Sequence, residues 1–531
     1  SPRVSQHRVC SARTPSRRGT HFPTAFIVLI LAGLGTILPA SAQDLPDDFW
    51  PARNLAILHD FGRFWPVNSA FKPYRWERLW AAEHHNGVAR SSGLGWVLAD
   101  LLDETATRPR SESSQDSLQM RIWSGTQLQQ PFGEAKPFSE FAASPYLNLS
   151  LWFRQNLNVE VYLRATSDPQ SLAHFTGRPR EIRRFGINAA EFDHAVVSYH
   201  NSWLIAQFGR GRQVWGALES SNLVLSAHSA AYDHFLFEGR YKRMKLRFFY
   251  GFLESSLTEG VNINRYLVGH GLEYSNRRNL VVGVSELITL SGEDRPLDIA
   301  YLNPLLPVLE VELNDRTNKD LGTASSNAVW SFMFDWMPVE GFRLSGNYTI
   351  DEFQFDSKDR DEGRPDATAY QMRTAYSRNV GRLAATLSFD YTRVGTFTFR
   401  HTAGGNNFVS RNFPLGTDIG SDADRWRLGL RMLFPWRIIL SARFGGLREG
   451  ERSILNSAYQ EFTDEEFQTG PFPSGQVHRT KFIDWNMSYL PLRNLEFQVF
   501  GRYAKGQGRF TSDQKFVVLS LNMYLPVDFG F

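Results

Sequence analysis

Arg425, Arg427, Arg431, Arg437 and Arg443 share a stretch in which apolar and polar residues alternate. Read with period 2, they fall on one face of two neighbouring extended segments. A guanidinium keeps its charge and offers five donors in a planar fork. Five on one face could attract an anionic polymer. The competing reading is structural: the same face carries acids, with Asp390, Asp484 and Glu496 at matching parity, and the two signs form an internal charge network.

Catalytic constellations are weak by comparison. Glu83-His84-His85 lies on a helical stretch, but adjacent histidines point to different sides, whereas a helical metal pair needs i, i+4 spacing. His228-Ser229 lacks a third partner at a meaningful spacing. GRGRQVWG from Gly209 lacks the full dinucleotide pattern and follows an amphipathic strand. No cofactor, metal site or enzymatic activity is expected.

The segments that carry these residues are long and strictly alternating. Leu383, Ala385, Leu387, Phe389 and Tyr391 interleave with Ala384, Thr386, Ser388, Asp390 and Thr392; Trp426, Leu428, Leu430, Met432 and Phe434 interleave with the arginines. Ile483, Trp485, Met487 and Tyr489 repeat the pattern, as do Leu495, Phe497, Val499 and Tyr503. From about residue 117 onward such segments run to about ten residues or more, beyond the usual five or six. Dyad repeats of that length with one apolar face mark a transmembrane β-barrel. About eighteen strands can be counted. Their links alternate between short (QNLN, HNSW, NRRN, PVEG, RNVG, FPW, LPLR) and long (about 129–145, 167–189, 213–232, 291–325, 395–423 and 448–477). Short periplasmic turns and long extracellular loops have this distribution. Trp336, Trp436, Tyr489 and Tyr524 near strand ends are expected in an aromatic girdle. The last strand, FVVLSLNMYLPVDFGF, alternates to the end and stops on Phe531, which resembles the C-terminal signal that outer-membrane proteins present to their insertion machinery.

Before residue 117 the period is helical: Leu55, Leu58 and Phe61, then Trp76, Leu79 and Trp80, then Leu94, Val97, Leu98, Leu101 and Leu102. The chain opens with a basic front, an apolar run from Ala25 to Leu38 and Ala40-Ser41-Ala42, the layout of a secretory signal peptide; the run is too short to span a bilayer of ~30 Å. The expected organisation is a signal peptide over 1–42, a periplasmic helical bundle over 43–112, and an antiparallel barrel over 113–531. At 42% hydrophobic residues and 14% aromatics over 531 residues, with a mean hydropathy of −0.34, a bundle of membrane helices is excluded. Removing a leader with five arginines and no acid takes the formal charge from +3 to −2, too near neutral to suggest a nucleic-acid partner. The one cysteine, Cys10, lies in that leader, so no disulfide is available afterwards.

Three stretches resemble the capsule assembly Wzi family: AQFGRGRQVWGALESSNLVLSAHSAAYDHFLFEG (206–239), YLVGHGLEYSNRRNLVVGVSELI followed by YLNPLLP (266–307), and YTIDEFQFD (348–356). The order of signal peptide, helical segment and barrel matches too. The resemblance implies a lectin-like outer-membrane protein that binds capsular or exopolysaccharide at the surface, with an occluded barrel and the bundle facing the periplasm. Loop residues within those stretches, Trp215, Asn222, Tyr301 and Asn303, are the expected glycan contacts; packing of the loops on one another would use the same residue types. The apolar link 291–325 is expected to fold inward and close the lumen. The partners expected are polysaccharide, outer-membrane lipid and the insertion machinery, with the chain acting as a monomer. A porin is the alternative, because barrels of 16–18 strands can leave an aqueous channel; an outer-membrane hydrolase is disfavoured for want of a nucleophile–base pair.

Overall fold

Eighteen long antiparallel strands form one closed sheet among the described residues of this computed structural model. It describes residues 50–530 apart from 64, 66–67, 73–92, 108–117, 139, 154–155, 173–174, 182, 219–220, 259–260, 308–309, 312–324, 353–364 and 464. The leader with Cys10, the stretch with Trp76, Leu79, Trp80, Glu83, His84 and His85, and Phe531 lie outside them.

The strands are β1 (Leu118–Glu134), β2 (Ala142–Phe153), β3 (Leu157–Thr166), β4 (Ala189–His200), β5 (Leu204–Gly211) and β6 (Tyr232–Tyr241). Next come β7 (Met244–Phe252), β8 (Val261–Ser275), β9 (Leu280–Glu293), β10 (Ser325–Val339), β11 (Phe342–Glu352) and β12 (Ala367–Val380). The last are β13 (Leu383–Val394), β14 (Ala423–Phe434), β15 (Ile438–Glu449), β16 (His478–Leu492), β17 (Leu495–Gln507) and β18 (Gln514–Gly530). Each pairs with its neighbours in sequence, and β18 returns to β1, from Gln119↔Gly530 to Glu134↔Lys515. Closure satisfies the backbone groups that an open edge would leave unpaired in lipid.

The alternation read in the sequence sets the two faces. Leu387 is 51% exposed on the outside, with Phe389, Leu428, Leu430, Phe444 and Trp485 in the same apolar band. Trp336, Trp436 and Tyr489 are exposed near strand ends, as a girdle requires. Tyr524 is not: it turns inward, is 4% exposed, and donates to the carbonyl of Arg493 at 3.0 Å. Turns of two to four residues join strands at one end, including one at 242–243 that the alternating pattern does not reveal. At the other end most links are long, although 135–141 and 508–513 are short.

Helices α1 (Trp50–Asp60) and α2 (Gly93–Thr107) lie against the inner wall at the short-turn end. Their apolar stripes, Leu55, Leu58 and Phe61 with Leu94, Val97, Leu98 and Leu101, share a core with the inward Trp123, Ala384, Leu433, Ile439 and Leu490. Gly93 sits so close to β14 that a Cβ there would lie 2.0 Å from the Leu433 carbonyl oxygen. Its amide donates to Arg382 at 2.7 Å, and the Trp96 indole donates to Phe434 at 2.9 Å. The described helices α1 and α2 thus plug the inner wall at this end. Beyond α1 the chain continues inside, where Phe71–Lys72 pairs with Val214–Trp215. Around that pair, Trp65, Phe249, Leu267, Leu287 and the loop residues Leu223, Phe408 and Leu415 build a large apolar core within the lumen.

The described part of the link after β9 takes another course. Tyr301 and Val311 pack with Phe248, Tyr250, Tyr266, Val268, Ile288 and Leu290. These strand residues share the outward parity of the exposed Leu272 and Val282. The segment therefore covers the outside of the wall instead of folding inward, and its apolar composition serves that contact.

Candidate functional site

At the long-link end, the links 167–188, 253–260, 395–422 and 450–477 leave a cleft of about 1360 Å³. Glu254 anchors it. Its carboxylate accepts from Arg265 Nη1 at 3.0 Å, Ser410 Oγ at 2.9 Å, the Arg411 amide at 2.8 Å and the Tyr459 hydroxyl. Arg265, inward on β8, also donates to the carbonyls of Gly405, Asn407 and Val409 at 2.6, 3.1 and 3.0 Å. One ion pair thus fixes two links against the wall. Asp422 ties links 395–422 and 450–477 together by accepting from the Ser474 amide at 2.8 Å and the Arg452 amide at 3.0 Å. Arg411 and Asn412 hold successive left-handed conformations, φ 51° and 66°, an uncommon pair for residues with side chains. Burial and the Glu254 carboxylate push the Tyr459 hydroxyl up to about 12, so it stays protonated as a donor. The guanidiniums of Arg178 and Arg411, which line the cleft, make no ion pair among the described residues. Planar rings, guanidiniums and amides on a rigid concave surface suit sugar rings, hydroxyls and carboxylates.

A second cavity of about 470 Å³ lies inside the barrel, between α1, the 212–231 link and the walls of β13, β14 and β15. Of the residues expected in a charge network, Arg427, Arg431, Arg443 and Asp390 line it. Arg425 grips Asp418, Nη2 to Oδ1 at 2.8 Å. Burial alone would raise the Asp418 carboxyl, but Arg425 holds it well below the usual range. Asp390 meets Arg373 at 3.7 Å, Asp484 meets Arg502 at 3.4 Å, and Glu496 meets Arg53 of α1 at 2.6 Å. Arg431 is 3.8 Å from Asp60. Arg437 belongs to neither strand: it occupies the β14–β15 turn with φ 60° and pairs with Asp100 of α2 at 2.7 Å. Arg427 and Arg443 line the cavity without an ion pair or hydrogen bond among the described residues. Sequence parity places Arg425, Arg427, Arg431 and Arg443 on the inner face; it does not reveal Asp60, whose carboxylate accepts from Arg343 and Arg373 at 2.9 Å.

The four expected glycan contacts are not brought together. Trp215 is 2% exposed in the lumenal core, 4.7 Å from the Phe71 ring centroid. Asn222 is 0% exposed; it accepts from the Leu218 amide at 2.9 Å and from Asn347 Nδ2 at 3.1 Å. Tyr301 is 1% exposed beneath the outer segment. Asn303 is exposed on that segment, away from the cleft. The first three therefore hold loops in place, since no ring face or amide edge of theirs reaches solvent. His228 lines the inner cavity, while Ser229 Oγ is spent on the Ser226 carbonyl at 3.2 Å. The cleft residues Arg178, Arg411, Asn412 and Tyr459 carry no spacing signal, because they converge from three separate links.

A closed barrel with an apolar outer band and an occupied lumen has the fold of an outer-membrane β-barrel. No protein-family model matches the chain, and no curated protein matches it. Among solved structures it is similar to Wzi of Escherichia coli, described as an outer-membrane protein involved in group 1 capsule assembly and a carbohydrate-binding β-barrel. The TM-score is 0.61 at 14% identity, over 92% of this chain and 100% of that one. At such identity the likeness speaks of fold, and it agrees with the resemblance in the sequence. Pseudomonas aeruginosa OccK5 (OpdH) and OprD align at a TM-score of 0.42 each, with 11% and 9% identity. They cover 77% and 78% of this chain and 98% of their own, a likeness too slight to carry an argument.

Proposed function

We propose that this protein binds a capsular or exopolysaccharide at the cell surface and supports its assembly or retention. The observation that carries the reading is the cleft anchored by Glu254: a concave surface at the long-link end, lined by the Tyr459 ring, Asn412 and the guanidiniums of Arg411 and Arg178. The fold likeness to Wzi, a carbohydrate-binding barrel, supports it. In this reading a leader over 1–42 is cleaved, the short turns and the helical plug face the periplasm, and the long links face outward. The chain works as a monomer in outer-membrane lipid after delivery by the insertion machinery. The plug and the lumenal core favour binding over conduction, which separates this account from a porin. Deleting the gene should release polysaccharide from the cells into the medium, and re-expression should restore retention. In planar bilayers the purified protein should show little steady conductance. Undiminished retention in the deletion strain, together with large stable channels, would favour the porin.

A further inference from the structure

The inner cavity holds an arrangement that neither the fold nor surface binding of a polymer requires. On β14, Arg427, Gly429 and Arg431 point inward in succession. On β15, Arg443 stands directly opposite Gly429, with Ser441 opposite Arg431; on β13, Ser388 stands opposite Gly429 from the other side. Arg443 is the diagonal neighbour of both Arg427 and Arg431, about 7–8 Å away along such a register. The three arginines thus neighbour Gly429, a position with no side chain, and Arg427 faces a second one, Gly445. Gly429 borders the cavity and is bounded closely on one side: a Cβ there would lie 2.8 Å from Ser388 Oγ and 3.9 Å from Arg443 Cγ.

Like charges at this spacing need a counter-charge, and the acids nearby are already engaged. Asp390, across from Arg427, meets Arg373. Asp484, across from Arg443, meets Arg502. Asp418 is held by Arg425, and Asp60 is shared by Arg343 and Arg373, with Arg431 at the longer 3.8 Å. Arg427 and Arg443 are left over, and the hydroxyls of Ser388 and Ser441 have no hydrogen-bond partner among the described residues. Donors of one sign around such a niche, walled by a barrel that limits solvent screening, are complementary to an oxyanion.

We propose that the lumen contains a binding site for one small oxyanion, a carboxylate or phosphate group, held by Arg427, Arg443 and Arg431 with Ser388 and Ser441 over Gly429. The cavity of about 470 Å³ admits a free solute of a few heavy atoms beyond the anionic group, not a polysaccharide chain. The site is independent of the surface cleft.

Equilibrium dialysis of the detergent-purified full-length protein at low ionic strength tests this, with radiolabelled inorganic phosphate and succinate as probes and glucose as the neutral control. The protein is dialysed as purified and also after refolding with the probe present, so that slow entry does not hide a site. One saturable equivalent of phosphate or succinate, competed by salt and absent for glucose, is the expected result. Arg427→Gln and Arg443→Gln should each weaken it by about 10- to 150-fold, the loss of one hydrogen bond to a charged group. Gly429→Val should abolish it by filling the niche, while Tyr459→Ala in the outer cleft should leave it unchanged. Heat-modifiable migration on gels confirms that each variant is a folded barrel. No saturable binding of either probe, or unaltered binding in the folded Arg427→Gln/Arg443→Gln double variant, overturns the proposal. Polysaccharide binding should persist in that double variant, so the two readings fail separately.

Discussion

Replacing Asp60 by Asn should loosen the plug while leaving the barrel wall intact. Asp60 ends α1, is buried, and accepts from Arg343 Nη1, Arg373 Nη1 and Arg373 Nη2 at 2.9 Å each, with Arg431 at 3.8 Å. Burial by itself would raise its carboxyl; Arg373, Arg343 and Arg431 outweigh that and bring it down from 3.8 to about 2. A shift of that size is worth about 2.5 kcal/mol at ~1.36 kcal/mol per unit. Deleting one member of a buried ion pair typically costs about 3–5 kcal/mol, so about 3 kcal/mol is expected. If α1 opens locally, its amides should exchange with solvent deuterium about 100-fold faster in Asp60→Asn, with the amides of β12 and β14 little changed. The sign with pH follows: a depressed carboxyl stabilises fully above its unfolded value of 3.8 and loses that contribution as pH falls towards 2. Wild-type α1 should therefore stay protected at pH 5 and lose protection below about pH 3. Equal protection of α1 in the two proteins would refute the role assigned to the Asp60 ion pairs.

Two further outcomes follow from the wall. Leu387→Arg should cost about 2–4 kcal/mol near the bilayer midplane, read by urea unfolding in lipid vesicles, whereas Ser388→Asp should be far milder because that position faces the lumen beside Arg427, Arg431 and Arg443; equal losses would mean the faces are assigned wrongly. A Gln468→Cys variant, in the long link 450–477, should react with a membrane-impermeant thiol reagent on intact cells and Glu340→Cys, in the β10–β11 turn, should not; the reverse labelling would invert the barrel.

How much of this was legible depended on whether a pattern is local. Dyad alternation in 383–394 or 423–434 is written residue by residue, so strand number, faces and closure could be read from it. The helical stripe of Leu55, Leu58 and Phe61 announces an apolar face but not its partner, and that partner is the inner wall, hundreds of residues away. Asp60 gave no signal for the same reason. Apolar content in 291–325 requires burial somewhere; nothing in composition distinguishes the inside of a wall from its outside. Trp215 and Tyr301 show the matching ambiguity, since an aromatic ring in a loop suits a sugar face and a packed core equally well. Only the assembled links decide, and they leave Tyr459 rather than Trp215 at the surface.

Capture of polysaccharide in the outer cleft can be measured as a binding isotherm of the host's own capsular polysaccharide on the purified, immobilised protein. Saturable binding that falls away in the folded Arg411→Ala/Tyr459→Ala variant is the expected result. No saturable binding to wild type, or the same isotherm for both proteins, would rule out capture in this cleft.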